Sequence, residues 1–286
     1  MIIDLHSHTT ASDGEFKPKE LIDKAIQKEI SVLAITDHDT IDSLDEAIDY
    51  AKNKEIEVVP GIEFSAKVDI GKMHILGLYV NYTKPEFKEI TDKLKKDRND
   101  RNNKFIKMFN ELGYDISIDD VKKYAIGEII AKPHFAQVLF EKGYIKDIEE
   151  AYDNLFNVPP LNTINRMTLS PKETIEAIKR ANGIAILAHP KTLKLNQEDL
   201  ENKIKELISY GLDGIECYHS THTFDEIKEY RNIAINYNLL ISKGSDYHGP
   251  NVTPEIELGT GKNGNILNKE ESMIYEKLKN RLEIHC

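Results

Sequence analysis

The chain begins Met1-Ile-Ile-Asp-Leu-His-Ser-His8. An apolar run with strand character ends there in His-x-His. Side chains two residues apart on a strand share a face. His6 and His8 therefore point the same way at a strand's end, where two imidazoles can grip one metal ion. Alone, such a pair is more often incidental than metal-binding, so recurrence of the pattern decides. Working outward, six further apolar runs read as strands: residues 32–36, 57–64, 74–80, 183–189, 211–218 and 239–245. Amphipathic helical patterns over 18–28, 44–53, 171–181, 198–210 and 224–237 follow several of them. Pro18 and Pro171 stand where a first-turn proline is tolerated. Alternating β and α elements predict a mostly parallel sheet, and seven strands point to its closure as a barrel.

The rhythm breaks between 82 and 169. That stretch reads as helical throughout (84–112, 118–125, 132–142 and 148–156) and ends at Val158-Pro-Pro160. It predicts an inserted helical subdomain over 82–169, dividing the barrel into 1–81 and 170–286. Hydrophobic content of 40% and charged content of 30% over 286 residues fit a globular protein with a sizeable core. A formal net charge of -11 argues against charge-driven binding to nucleic acid, so no stable nucleic-acid complex is expected. A phosphorylated substrate remains compatible, because carboxylates that hold metal ions contribute to the negative total. No apolar run reaches the roughly 18 residues of a membrane span. A site that begins at His6 leaves no room for a cleaved leader. Cys217 and Cys286 make no disulfide framework, and a cytoplasmic location is expected.

Histidines and acids recur where the strand candidates end. His6 and His8 are followed by Asp13. The second strand delivers Asp37 and His38 in Leu33-Ala-Ile-Thr-Asp-His-Asp-Thr40, and the third delivers Glu63 in Pro60-Gly-Ile-Glu-Phe-Ser65. His189 ends the fifth strand, His219 and His222 follow the sixth, and Asp246 and His248 follow the seventh. In parallel α/β barrels this is the active-site end. His74 is the exception, near the start of its strand, and an antiparallel or irregular hairpin through Asp69-Ile-Gly-Lys72 would account for it. Asp37-His38 alone could be a helix cap. Yet eight of the ten histidines lie on or just after strand candidates, and costly polar groups do not gather at one end without a purpose. A mixed His and carboxylate set suits Zn, Mn or Fe rather than a thiolate site. About nine candidate ligands exceed the roughly four that one zinc takes, which implies two or three divalent ions. Clustered ions acidify a bound water, orient an anion and stabilise an in-line displacement, the needs of phosphoester hydrolysis.

The blocks Asp4-Leu-His-Ser-His-Thr9, Ser12-Asp-Gly14, Ala34-Ile-Thr-Asp-His-Asp-Thr40, Pro60-Gly-Ile-Glu-Phe-Ser65, His74-Ile-Leu-Gly77, Ala188-His-Pro190 and Gly244-Ser-Asp-Tyr-His248 together resemble the PHP (polymerase and histidinol phosphatase) superfamily of metal-dependent phosphoesterases. The resemblance implies a distorted seven-stranded (β/α) barrel with a trinuclear centre and attack by a metal-bound hydroxide. By position, His6, His8, Glu63 and Asp246 would hold one ion. Glu63 would bridge to a second, shared with His74 and His189. Asp13, His38 and His248 would serve a third. Asp37 would stand behind the ligands and orient an imidazole. His219 and His222 would bind a second phosphate or assist the leaving group.

Within the superfamily the chain looks most like the stand-alone group with a helical insertion. Members of that group hydrolyse nucleoside 3′,5′-bisphosphates, and some trim the 5′ ends of short RNA. The supporting pieces are Arg98-x-x-Arg101, Lys132-Pro-His134 and Tyr218-His-Ser-Thr-His222. Arg98, Arg101, Lys132 and His134 are thus the expected substrate contacts, and a small phosphorylated nucleotide the expected substrate. The family pattern usually has Arg where Lys132 stands; lysine keeps the charge but loses the bidentate fork. Histidinol phosphatases and cyclic-phosphoribose phosphodiesterases share the core motifs. A non-catalytic, metal-stabilised binding module fits less well, because structural sites are usually closed by four ligands.

Other signals read more plainly. Gly259-Thr-Gly-Lys-Asn-Gly264 matches G-x-G-x-x-G but lacks the βαβ context of a dinucleotide site. Most lysines of 93–107 read as a solvated helix face. Phe105, Met108, Phe109 and Leu112 have helical spacing and read as core. His285, in the tail, is given no role.

Overall fold

The computed structural model describes residues 1–283; His285 and Cys286 lie outside the described residues. The first strands and helices run β1 (Ile2–Asp4), α1 (Pro18–Gln27), β2 (Ile30–Ile35), α2 (Leu44–Ala51), β3 (Glu57–Ala66) and β4 (Met73–Leu78). The helical region holds α3 (Pro85–Glu111), α4 (Ile118–Lys122), α5 (Lys132–Glu141) and α6 (Ile148–Ala151). The alternation then resumes with α7 (Pro171–Arg180), β5 (Ile184–Leu187), α8 (Gln197–Tyr210), β6 (Gly214–His219), α9 (Phe224–Asn236) and β7 (Leu240–Gly244). A hairpin, β8 (Ile256–Glu257) and β9 (Gly261–Lys262), and α10 (Glu271–Glu283) complete it.

Seven strands pair in sequence order, β1 through β7. All neighbours are parallel except β3–β4 and β4–β5, so β4 alone runs backwards. The edges meet past the strand ends. Leu5 N–H donates to Lys243 O at 3.1 Å, Asp246 N–H donates to His6 O at 2.9 Å, and Ser7 bridges Tyr247. The sheet is thus a nearly closed, distorted barrel. Strand interiors such as Ile184–Leu187 are wholly buried, as expected of a sheet covered on both faces. Helix starts follow local chemistry. Ser170 caps α7 by accepting from Glu173 N–H, the Glu173 carboxylate accepts from Ser170 N–H at 2.8 Å, and Pro171 occupies the first turn.

The chain divides into two compact units. The barrel unit is Met1–Thr91 with the described residues from Thr168 on; the helical unit is Asp92–Met167. The helical unit is narrower than the 82–169 read from the sequence. The opening of α3 belongs to the barrel unit, where the Phe87 ring packs edge-on to Phe64 at 5.8 Å. The helical unit has its own core of Phe105, Phe109, Phe135 and Phe156. Leu112 departs from expectation: it lies just past α3 and is 45% exposed. Gly259-Thr-Gly-Lys-Asn-Gly264 forms the β8–β9 turn, with Gly259, Gly261 and Gly264 at positive φ, and no βαβ unit follows. Cys217 is a free, buried thiol. Among the described residues no helix is long and apolar enough to cross a membrane.

Candidate metal centre

The reversal of β4 explains His74. An antiparallel strand starts where its parallel neighbours end, so His74 pairs with Ser65 near the carboxyl end of β3. All nine expected ligands lie in the barrel unit, and the structure gathers them around one carboxylate. Glu63 is fully buried. Its Oε2 lies 3.3 Å from His6 Nε2, 3.3 Å from His8 Nε2 and 2.9 Å from His38 Nδ1. Its Oε1 lies 2.8 Å from both His74 Nδ1 and His189 Nε2. A carboxylate with donors ranged on each oxygen separately is suited to bridging two ions.

Three groupings of donor atoms result. His6 Nε2, His8 Nε2, Glu63 Oε2 and Asp246 Oδ1 converge, with Asp246 Oδ1 3.4 Å from His6 and 3.0 Å from His8. His74 and His189 meet at Glu63 Oε1, and His38 joins Glu63 and His74 in a further cluster. Asp13, His38 and His248 gather with His8; Asp13 is 3.4 Å from His248 and 3.8 Å from His38. The floor is closed, with His6, His8 and Glu63 fully buried, whereas Asp13 is a third exposed and forms part of an open rim.

These residues fit a metal on physical grounds. Six of the converging atoms are buried without any hydrogen-bond partner: His6 Nε2, His8 Nε2, Asp13 Oδ1, His38 Nδ1, Glu63 Oε2 and Asp246 Oδ1. Orphaned buried polar atoms are rare and costly, and here they face one another. Burial alone would lower the His8 pKa, but Asp246 and Glu63 outweigh it and push it up to about 10. His6 is driven well up against burial by Glu216, Glu63 and Asp246. A field strong enough to hold protons there will hold divalent cations in their place. The donors are imidazole nitrogens and carboxylate oxygens, with no thiolate.

The surrounding polar groups aim the ligands. His248 Nδ1 donates to Asp246 O at 2.8 Å, and His189 Nδ1 lies 3.1 Å from Thr192 Oγ1. Asp4, buried, accepts from Ser245 N–H, Ser245 Oγ and Gly259 N–H, anchoring the loop that carries Asp246. Asp246 and His189 adopt positive φ, 57° and 25°, a cost that side chains other than glycine bear mostly at functional positions.

Asp37 departs from its expected role, for it touches no imidazole. It accepts from Thr9 N–H and Oγ1 and from the hydroxyls of Ser12 and Ser43. Its influence reaches His8 only through Ser12, whose Oγ lies 3.4 Å from His8 Nδ1. His219 and His222 differ from each other. His219 Nδ1 accepts from Thr221 N–H at 3.2 Å, which leaves the proton on Nε2, 3.3 Å from Asp246 Oδ2. His222 donates from Nδ1 to Cys217 O, and burial holds its pKa down to about 4. It is therefore neutral near pH 7.

The remaining expected residues are in the helical unit. Arg98 and Arg101 are each 8% exposed, so they are not part of a solvated face. Arg101 donates to Ile130 O at 3.3 Å; its pKa is lowered to about 10, first by burial, then by the charges of Arg98 and Arg166. Lys132 is lowered by burial and by Arg101. His134 Nδ1 accepts from Ala131 N–H at the start of α5, a capping contact. Arg166 joins this cationic cluster without having been singled out in the sequence. Glu216 was also missed. It is fully buried, accepts from His6 Nδ1 at 3.0 Å and from His189 N–H at 2.8 Å. A lone acid within the apolar run Gly214-Ile-Glu-Cys-Tyr218 was the available signal.

Comparison with known proteins gives the family. The PHP domain family matches residues 4–238. The chain is 32% identical over 256 residues to a 5′-3′ exoribonuclease of Haemophilus influenzae, covering 90% of this chain and 92% of that one. It is 28% identical to a 3′,5′-nucleoside bisphosphate phosphatase of Chromobacterium violaceum, covering 87% of each. It is 29% identical to a phosphoribosyl 1,2-cyclic phosphate 1,2-diphosphodiesterase of Eggerthella lenta, covering 87% and 95%. Among solved structures, an amidohydrolase of C. violaceum with bound sulfate superposes at a TM-score of 0.78, with 25% identity over 98% of this chain and 97% of that one. A protein of Bifidobacterium adolescentis assigned as a metal-dependent phosphoesterase gives 0.74, also at 25% identity, over 98% and 96%. The chain belongs to the PHP domain family and is a metal-dependent phosphoesterase, a hydrolase of phosphoric esters.

Proposed function

We propose that the chain releases a terminal phosphate from a small nucleotide carrying a second phosphate, a nucleoside 3′,5′-bisphosphate or the 5′ end of a short RNA. The observation that carries this reading is the cationic cluster of the helical unit. Burial first, and then neighbouring positive charge (Arg98 and Arg166 beside Arg101, Arg101 beside Lys132), depress Arg101 and Lys132, and Arg101 Nε is buried without a partner. In a chain of net charge -11, such a cluster is suited to an anion, and guanidinium suits phosphate in particular. The names of the H. influenzae and C. violaceum relatives support the same substrate class.

Two or three divalent ions held by His6, His8, Asp13, His38, Glu63, His74, His189, Asp246 and His248 would activate water and neutralise phosphoryl oxygens. His219, neutral with its proton on Nε2 beside Asp246, can donate a hydrogen bond toward the departing oxygen as the P–O bond breaks, and water supplies the proton that oxygen takes up. No side chain is required as a nucleophile, so no covalent phosphoenzyme forms. The reaction takes place in the cytoplasm, in keeping with a free Cys217.

Assays with added manganese test the reading. Adenosine 3′,5′-bisphosphate should exceed both histidinol phosphate and a cyclic phosphoribose in kcat/KM, by about 10-fold or more. A preference for either competitor, or a trapped phosphohistidine, would overturn it.

A further inference from the structure

Glu216 lies on β6 behind the metal-facing atoms, and each of its oxygens is committed to a different ligand residue. Oε1 accepts from His6 Nδ1 at 3.0 Å. A carboxylate at that position requires the proton on Nδ1, so His6 Nε2 keeps its lone pair, aimed at Asp246 Oδ1 and Glu63 Oε2. Oε2 accepts from the backbone N–H of His189 at 2.8 Å. That residue has φ 25° and ψ 68°, a sparsely populated conformation that needs an external hold. In this conformation His189 Nε2 reaches Glu63 Oε1. His6 and His189 thus belong to different oxygens of the bridging Glu63.

The packing around Glu216 supports a dedicated role. Gly244 presses so close that a Cβ there would lie 2.2 Å from His6 Cβ and 2.8 Å from Glu216 Oε1. Only glycine lets β7 pass the His6–Glu216 pair. Glu216, His6 and His219 also form a cluster with ligand-like spacing. However, neither Glu216 oxygen is among the buried atoms left without a partner, whereas His6 Nε2, Glu63 Oε2 and Asp246 Oδ1 are. The carboxylate therefore acts on the ligands and is not itself a ligand.

We propose that Glu216 is a positioning residue that couples two ion positions, fixing the imidazole of His6 for one and the backbone of His189 for the other. The inference rests on the metal centre described above and is independent of the substrate. Glu216→Gln is the natural test, because glutamine keeps the shape but presents one acceptor and one NH2. It cannot accept from both His6 Nδ1–H and His189 N–H. Metal titration of the variant, measured by calorimetry and by ion content after dialysis, should show affinity reduced about 10- to 100-fold at two positions. Nitrogen-15 spectra of the zinc-loaded wild type should show a hydrogen-bonded proton on His6 Nδ1, altered in the variant. Melting of both metal-free proteins separates a folding defect from a metal effect. Unchanged affinity in a folded variant, loss at a single position only, or a wild-type His6 protonated on Nε2 in the zinc form would each overturn the proposal. The wild-type spectrum decides even if the variant does not fold. A wild type that binds no ions would sink the metal centre itself, and this inference with it.

Discussion

At the strand ends of the barrel unit, one buried carboxylate is ringed by five imidazoles; in the helical unit, one buried guanidinium is crowded by two more and an ammonium. Both sites hold charge out of water. The first has orphaned buried polar atoms suited to cations, and in the second burial and neighbouring positive charge lower Arg101 and Lys132. They also differ in support. The metal-facing residues are fixed by strand ends, backbone carbonyls and buried acids such as Glu216 and Asp4. The cationic residues stand on helices held by a phenylalanine core, with Arg101 stacked 5.3 Å from the Phe105 ring. The candidate metal centre thus lies in one compact unit, and the proposed function assigns the choice of substrate to the other.

That division can be broken experimentally. The largest effect is expected at the bridge. Chelation of the metals, or Glu63→Gln, should lower kcat on every phosphoester by about 10^3-fold or more, read by phosphate release. Substantial metal-free turnover would refute the centre. Next, Arg101→Ala should reduce kcat/KM for a nucleoside bisphosphate roughly 10- to 100-fold, the loss of a charge-assisted contact. Turnover of p-nitrophenyl phosphate should stay within about 3-fold. An equal loss on both substrates would erase the distinction between the two parts. Third, Phe109→Ala should destabilise the helical unit by about 3–5 kcal/mol through a large cavity. Metal content should be unchanged, and any loss of ions would show the parts to be interdependent. The smallest effect is at a helix cap. Ser170→Ala, which removes the α7 capping box, should cost about 1 kcal/mol in a denaturant melt and leave kcat unaltered.

Much of the barrel was legible because hydrophobic period and strand-end chemistry are local. The runs that became β2, β5 and β7 were bounded within about two residues, the usual latitude of such readings. His74 was flagged as irregular, and the reversed strand gives the reason. The helical stretch was recognised from the absence of strands, but its boundary was not. Where α3 passes from one core to the other depends on Phe87 finding Phe64, a contact between distant parts of the chain. The expected metal ligands announced themselves as histidines and acids after apolar runs. Their supporting groups did not. Glu216 and Arg166 have no motif around them, and Asp37 sits inside one yet serves hydroxyls rather than an imidazole. His219 and His222 share a motif, and only their partners, Thr221 N–H for one and Cys217 O for the other, set which nitrogen carries the proton.

The sequence by itself therefore determined which residues are candidate ligands and the order in which strands deliver them, because strand period and residue chemistry are written locally. Tertiary structure alone decided which atoms converge on Glu63, which imidazole nitrogen faces inward, and which buried acid stands behind His6. Those outcomes depend on contacts between residues far apart in the chain, such as His6 with Glu216 and Asp246, and on the burial that makes an unpartnered polar atom costly.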